Sequence, residues 1–367
     1  CVGGNFTAIS VTATGAGLTY QWYSNSSASN TGGTAIAGAT NASFTPSAAT
    51  AGSTYYYCVV SASCGPDQTS AVSGLFLVNP ILSAAVSIAT PLTTLCAGAP
   101  ASFTATPTNG GSAPTYQWQV NGANVGTNSA SFASNTLANG DNVTVIMTSN
   151  AQCAVNSPAT SNGISMLVNP LPTVTASTPA ANCGPGTMTL NATPSAGNIN
   201  WYATATGGTS LATATAFPTP LISTTTTYYA EATSLGCASA TRTPVVATVN
   251  ALPTPSITRT AGTDICVNGN VNLTTQSGMS TYAWTVTGVA GTDYAIKAGG
   301  LGATDNSVTL TWLTTGSKTV TVNYANSNGC SATSATSNTT TVYALPTVSF
   351  STAPGASSCV NGSVTYT

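Results

Sequence analysis

A cysteine, a tryptophan some twenty residues later and a second cysteine ahead of a short joint recur four times along the chain. The sets are Cys1–Trp22–Cys64, Cys96–Trp118–Cys153, Cys183–Trp201–Cys237 and Cys266–Trp284–Cys330, and a fifth opens at Cys359. Successive first cysteines lie 83 to 95 residues apart. Self-similarity at such a period sets the architecture before any local pattern does. A unit of that size buries a thin two-layer core and benefits from a covalent staple.

Inside each repeat, apolar and polar residues alternate with period two, as in Phe103-Thr104-Ala105-Thr106, Val143-Thr144-Val145-Ile146 and Val320-Thr321-Val322-Asn323. No stretch carries helical periodicity. Asn-Gly pairs at 109–110, 121–122, 139–140, 162–163 and 328–329 cut the chain into short strands. The predicted fold is all-β: a tandem array of Ig-like antiparallel β-sandwich domains, strung into an extended rod.

The joints read Val78-Asn79-Pro80, Val168-Asn169-Pro170, Val249-Asn250-Ala251-Leu252-Pro253 and Val342-Tyr343-Ala344-Leu345-Pro346. Pro in so short a joint predicts semi-rigid connections. The expected domains are 1–79, Ig-like and lacking its first strand; 80–169 and 170–250, Ig-like; 251–344, Ig-like or PKD-like; and 345–367, a first strand and the start of a further domain. A chain that opens and closes mid-repeat is expected to be a window on a longer polypeptide or a matured product.

One tryptophan per repeat, at one strand position, is what packing between two sheets requires, so Trp22, Trp118, Trp201 and Trp284 are expected as core anchors. The competing reading is a row of exposed sugar-stacking rings. Trp312 sits in Val308-Thr309-Leu310-Thr311-Trp312 and is expected in the core on a later strand.

The chain has ten cysteines without metal-ligand spacing, which predicts disulfides and an oxidising, extracellular location. The first cysteine of each set precedes the second strand, and the second lies at or after the last hairpin turn. The expected bridges are therefore within repeats, clipping one end of each sandwich: Cys1–Cys64, Cys96–Cys153, Cys183–Cys237 and Cys266–Cys330. Cys359 would pair beyond residue 367 and is unpaired here. Cys58, in Tyr55-Tyr56-Tyr57-Cys58, has no partner on the second strand. It reads as a buried free thiol, or as a competitor that takes Cys1 and frees Cys64 for an intermolecular bond.

Only 3% of residues are charged, against about 25% in ordinary soluble proteins, so Thr, Ser, Asn and Gly must cover the polar faces. Such a surface repels its own copies weakly. Four scattered basic residues cannot neutralise a phosphate backbone, which excludes nucleic acid as partner. The longest apolar runs are strand-sized, so no membrane span is expected in this window. Without histidine and with a single glutamate, Glu231, there is no conventional catalytic set, and no enzyme activity, metal or cofactor is expected. The charges of the fourth repeat (Arg259, Asp264, Asp293, Lys297, Asp305, Lys318) read as isolated solubilising groups. The joints carry no carboxylate clusters for calcium.

The third repeat, with Cys183-Gly184-Pro185-Gly186, Trp201-Tyr202, Thr226-Thr227-Tyr228-Tyr229 and Gly236-Cys237, resembles the Ig-like repeats of large secreted Bacteroidetes proteins. The fourth, with Tyr282-Ala283-Trp284-Thr285-Val286 and Gly329-Cys330-Ser331, resembles the PKD-like repeats found beside them; the first two match more loosely. The resemblance implies type 9 secretion and a place in surface adhesins, gliding filaments or stalks of secreted hydrolases, with no catalytic residues.

Two functions follow as expectations. The first is a non-catalytic structural repeat region of an extracellular filament or giant cell-surface adhesin, self-associating with its own copies. Uncharged edge strands could support such association, including strand exchange between copies. The second is a spacer or carbohydrate-binding region of a secreted polysaccharide hydrolase, with Tyr55, Tyr57, Tyr228 and Tyr229 as glycan contacts.

Overall fold

A computed structural model describes residues 1–260 and 262–349. Cys359 and nearly all of the expected fifth domain lie outside the described residues. Every regular element described is a β-strand, and the chain is a tandem array of Ig-like sandwiches. No helix is long and apolar enough to cross a membrane. The residues fall into two compact units, one of Cys1–Leu171 with Leu235–Cys237, the other of the remaining chain.

In the first unit, the second repeat shows the sandwich in full. One sheet orders Ser131–Ser134, Ala101–Thr108 and Ala85–Ala89; the other orders Ala123–Val125, Thr115–Val120, Asn142–Thr148 and Ala159–Thr160. Alternation decides the faces. Ala101, Phe103 and Ala105 point inward from one sheet, and Val143, Val145 and Met147 from the other, with Ser102 and Thr104 between them exposed and Thr144 and Ile146 half-buried. Trp118, opposite Val145, fills the middle against Phe132 at 5.5 Å and Phe103 at 6.3 Å. Its indole Nε1 donates to the Ser129 carbonyl at 2.8 Å, so burial leaves no polar atom unpaired.

The first repeat has the same main hairpin, Thr19–Asn25 on Gly52–Ser61, with Trp22 facing Cys58. Its opposing layer is thinner: Ile9–Ser10 pairs only with Ser43–Phe44. No described strand occupies the place that Ala85–Ala89 takes in the second repeat. A groove of about 480 Å³ opens there, with Ile9, Val11, Trp22, Tyr56 and Phe76 among its walls.

In the second unit, the third repeat places Val174–Thr178, Thr189–Pro194 and Ala216–Pro218 against a sheet built on Asn198–Tyr202, Thr226–Ser234 and Thr243–Asn250. Trp201 stacks on Phe217 at 5.3 Å, and its Nε1 donates to the Ala214 carbonyl. The fourth repeat has two four-stranded sheets, with Asn270–Thr274 and Ser307–Trp312 central in one, Gly316–Ala325 and Thr336–Tyr343 in the other. Trp284 and Trp312 are both buried there. All four recurring tryptophans are buried within their own sandwiches, Trp22 also lining the groove of the first repeat.

A short parallel strand accompanies the last strand of three repeats. Thr94–Cys96 runs beside Leu167–Asn169, Ala180–Cys183 beside Thr243–Asn250, and Asp264–Cys266 beside Thr336–Tyr343. Each ends with its cysteine opposite the final residue of the last strand: Cys96 opposite Asn169, Cys183 opposite Asn250, Cys266 opposite Tyr343. That register carries the first cysteine to the end of the sandwich where the next repeat begins.

This placement overturns the expected pairing. The second cysteine of a repeat lies just before the last strand, at its opposite end. Thr243–Asn250 and Thr336–Tyr343 are each 8 residues long, about 26 Å at the rise of a strand. A disulfide needs Cα atoms within about 7 Å. Cys183–Cys237 and Cys266–Cys330 are therefore out of reach within a repeat. The bonds formed instead are Cys1–Cys153, Cys96–Cys237 and Cys183–Cys330, with Cα–Cα distances of 5.4 to 5.6 Å. Each joins the first cysteine of one repeat to the second cysteine of the following one, so Cys1–Cys64 and Cys96–Cys153 are replaced as well.

Candidate functional site: the cystine joints

Each joint is built from local signals around the first cysteine. In Cys1-Val2-Gly3-Gly4, Cys96-Ala97-Gly98-Ala99 and Cys266-Val267-Asn268-Gly269, the fourth amide donates to the cysteine carbonyl at 2.9 to 3.0 Å. The third residue is left-handed, with φ of 80°, 82° and 66°. That is a type II turn, and Gly or Asn is what its third position demands. The second residue ties the turn to the end of the last strand: Val2 to Asn79, Ala97 to Asn169 and Val267 to Tyr343, at 2.9 to 3.0 Å. The third repeat makes the same tie from the same position, Gly184 to Asn250 at 2.9 Å. Gly184 has φ +71°, and a Cβ there would meet Leu252 Cδ1 at 3.1 Å, so only glycine combines that backbone with that packing.

The second cysteine is presented by a turn of the following repeat. Cys153 is itself left-handed at φ 65°, and Cys237 follows left-handed Leu235 and Gly236. Before Cys330, the Asn326 side-chain oxygen accepts from the amides of Asn328 and Cys330 at 3.0 and 3.1 Å. The Asn326 amide group donates to the Ala251 carbonyl at 2.8 Å, seating this turn on the preceding joint. Asn169, almost fully buried, donates in the same manner to Leu235 at 3.3 Å. Of the bridged cysteines, Cys237 is 1% and Cys330 0% exposed, Cys96 and Cys153 are half-buried, and Cys1 and Cys183 are exposed.

The bridges close sequence separations of 152, 141 and 147 residues. A single loop of that size stabilises by about 5 kcal/mol in the chain-entropy model. The loops overlap, so their contributions do not add.

Three described cysteines form no bond: Cys58, Cys64 and Cys266. Cys58 is fully buried beside Trp22 and Tyr56, and burial raises its thiol pKa, which keeps it a neutral, unreactive core residue. Its competition for Cys1 does not occur, since Cys1 bonds Cys153. Cys64 and Cys266 are exposed.

Two of the expected glycan contacts are withdrawn by packing. Tyr57 is 4% exposed, stacked on Tyr23 at 5.0 Å, with its hydroxyl accepting from the Gly33 amide. Tyr228 is 5% exposed and turned into the core against Phe217. Tyr55 and Tyr229 are half-buried.

Charged groups that look solitary in sequence are brought together across strands. Glu231 pairs with Arg242 at 3.1 Å, and the Arg242 guanidinium lies 3.2 Å over the Tyr202 ring. Tyr202 donates its hydroxyl to Glu231 at 3.0 Å; burial, then Glu231, raises its pKa. Lys318 is buried, not a solubilising surface charge, and contacts Asp293 at 3.4 Å and Thr314 at 2.6 Å. The Asp293 carboxyl is held below its ordinary pKa by the Val289 amide first, then by Thr314, with Lys318 adding to it. A depressed carboxylate contributes stability above the unfolded pKa, about 3.9, that is lost as pH falls through the lower folded value. Acid is therefore expected to weaken the fourth repeat in that window, and Asp293→Asn to remove that part of the dependence, read as amide-exchange protection over residues 270–325 against pH. Among the described residues no three His, Cys, Asp or Glu side chains gather into a metal-binding set.

Residues 170–251 match the family described as Ig-like domain CHU_C associated, and residues 1–76 match a domain of unknown function (DUF8696). None of the curated proteins compared matches the chain. Similar solved structures include a Ca2+-stabilised adhesin with which an Antarctic bacterium binds ice (16% identity, 92% of this chain and 94% of that one, TM-score 0.34). The N-terminal eight Ig domains of Down Syndrome Cell Adhesion Molecule are similar too (14% identity, 92% of this chain, TM-score 0.31). The present chain covers 45% of that one. The ICAM-5 D1–D4 ectodomain is a third (12% identity, 79% and 83%, TM-score 0.32).

Proposed function

We propose that this chain is a structural, non-catalytic repeat region of an extracellular filament or giant cell-surface adhesin, and that its task is to hold a surface structure together under tension. The observation that carries this reading is the overlapping series of bridges between consecutive repeats. A bridge within a domain protects that domain alone, whereas bridges that overlap from repeat to repeat make an array covalently continuous outside its main chain. Disulfides of this kind persist in an oxidising compartment, which supports an extracellular location. The match of residues 170–251 to an Ig-like family supports placing the chain among the secreted Bacteroidetes repeats it resembles, with export by type 9 secretion. A nearly uncharged surface supports association with its own copies.

Electron microscopy of the native cell surface, with an antibody to residues 170–251, tests the proposal. Label along fibres or stalks that leave the cell is the expected outcome; label confined to a soluble secreted enzyme fraction sinks it. The spacer or glycan-binding alternative loses support from the burial of Tyr57 and Tyr228. Pull-down on insoluble glycans is expected to retain the chain no better than a control protein, with Tyr55→Ala and Tyr229→Ala changing nothing. Retention that either substitution abolishes would favour the alternative.

A further inference from the structure

Two of the exposed thiols stand where bonded cysteines stand in the other repeats. Cys266 ends a parallel strand opposite the last residue of its repeat, the register held by bonded Cys96 and Cys183. It opens the same type II turn as bonded Cys1 and Cys96, and Val267 makes the same tie to the last strand. Cys64 lies between Gly52–Ser61 and Gln68–Thr69, in the place that Cys153 holds between Asn142–Thr148 and Ala159–Thr160. Its bonded counterparts are half-buried or covered, while Cys64 is exposed. A joint of this kind needs one cysteine of each sort. Cys266 is a first cysteine without a described partner, and Cys64 a second.

We propose that Cys64 and Cys266 are two further joints of the same series. Cys266 takes the turn cysteine of another Ig-like repeat, and Cys64 takes the first cysteine, at the end of a parallel strand, of another. Each bond forms between two thiol sulfurs. Their two protons and two electrons pass to an external disulfide, such as glutathione disulfide or a disulfide-bearing oxidoreductase, which leaves as two thiols. The partner repeat has one chemistry and two sources: a neighbouring repeat of the same polypeptide, or a second copy of this chain, in which Cys266 of one copy meets Cys64 of the next. The inference rests on the joint geometry and does not depend on the filament reading.

The test is peptide mapping of protein isolated from its native surface, alkylated with iodoacetamide before any reduction. Cys58, buried, is alkylated only after denaturation and serves as the internal control. Cys64 and Cys266 are expected to be almost wholly protected and recovered as disulfide-linked peptides, each joined to a cysteine of an Ig-like repeat in the complementary position. A denaturing, non-reducing gel separates the sources: migration at the mass of one polypeptide assigns the bonds within the chain, and a ladder of multiples assigns them between copies. In the second case, chain 1–367 treated with glutathione disulfide forms the ladder, and Cys266→Ser abolishes it while leaving Cys1–Cys153, Cys96–Cys237 and Cys183–Cys330 intact. Cys64 and Cys266 found alkylated, bonded to each other within one chain, capped by a small thiol or joined to a protein without such repeats would overturn the proposal.

Discussion

Pulled between residues 1 and 349 without reductant, the chain is expected to reach no more than about 180 Å even when every sandwich has unfolded, against about 1,200 Å after reduction. The limit comes from the shortest covalent route. From Cys1 it crosses to Cys153, follows about 30 residues to Cys183, crosses to Cys330 and follows about 19 more to residue 349. At about 3.5 Å per residue the main-chain part of that route is about 170 Å, and the two crossings add little. Every other segment hangs in loops that bear no tension. Cys183→Ser leaves a shortest route from Cys153 back to Cys96, across to Cys237 and on to residue 349, and is expected to raise the oxidised limit to about 600 Å. Single-molecule stretching with handles at the two ends reads this directly. An oxidised chain that lengthens in steps of several hundred ångströms would show that the bridges do not carry the load, and the proposed mechanical task would fall with them. Bridges within each repeat, as the spacing of the cysteines first suggests, would have left every joint in the load path; bridges between repeats take the sandwiches out of it.

The largest single-residue effect is expected at a core tryptophan. Trp118 is 0% exposed, touches both sheets through Phe103, Phe132 and Val145, and loses its hydrogen bond to Ser129 on truncation. Trp118→Ala should cost about 3–5 kcal/mol, which is a large share of the stability of one small domain. Hydrogen exchange followed by mass spectrometry is the suitable measurement, because it resolves repeats that a bulk melting curve would blend. Protection over residues 85–168 should fall by at least a hundredfold, while residues 270–343 keep theirs. Uniform loss across all repeats would mean that the sandwiches unfold as one body. Unchanged protection would mean that the ring is not the anchor of its core.

Much of the fold was legible because its signals are local. Alternation placed Val143, Val145 and Met147 inward, and one tryptophan per period marked the middle of each sandwich. Alternation misled where the outer face is covered by something distant. Tyr57 alternates outward on its strand, yet Tyr23 and the Gly33 amide close over it. The same blindness hid Glu231 and Arg242, which are 11 residues apart in sequence and are brought side by side by two neighbouring strands.

The cysteines divide what sequence determines from what tertiary structure decides. Their number, their period and the Gly or Asn after the first of each pair are written in the chain, and so is the prediction that they would be oxidised. Which sulfur meets which is not, since eight cysteines alone allow 105 pairings. Proximity in sequence favours partners within a repeat, and nothing local opposes it. The short parallel strand decides otherwise: in the third repeat it sets Cys183 opposite the last residue, a strand length of about 26 Å from the end where Cys237 lies and within bonding distance of Cys330. The sequence alone thus makes the repeated unit, and the tertiary structure, by the direction of one three- or four-residue strand, turns a row of separate staples into a chain of linked ones.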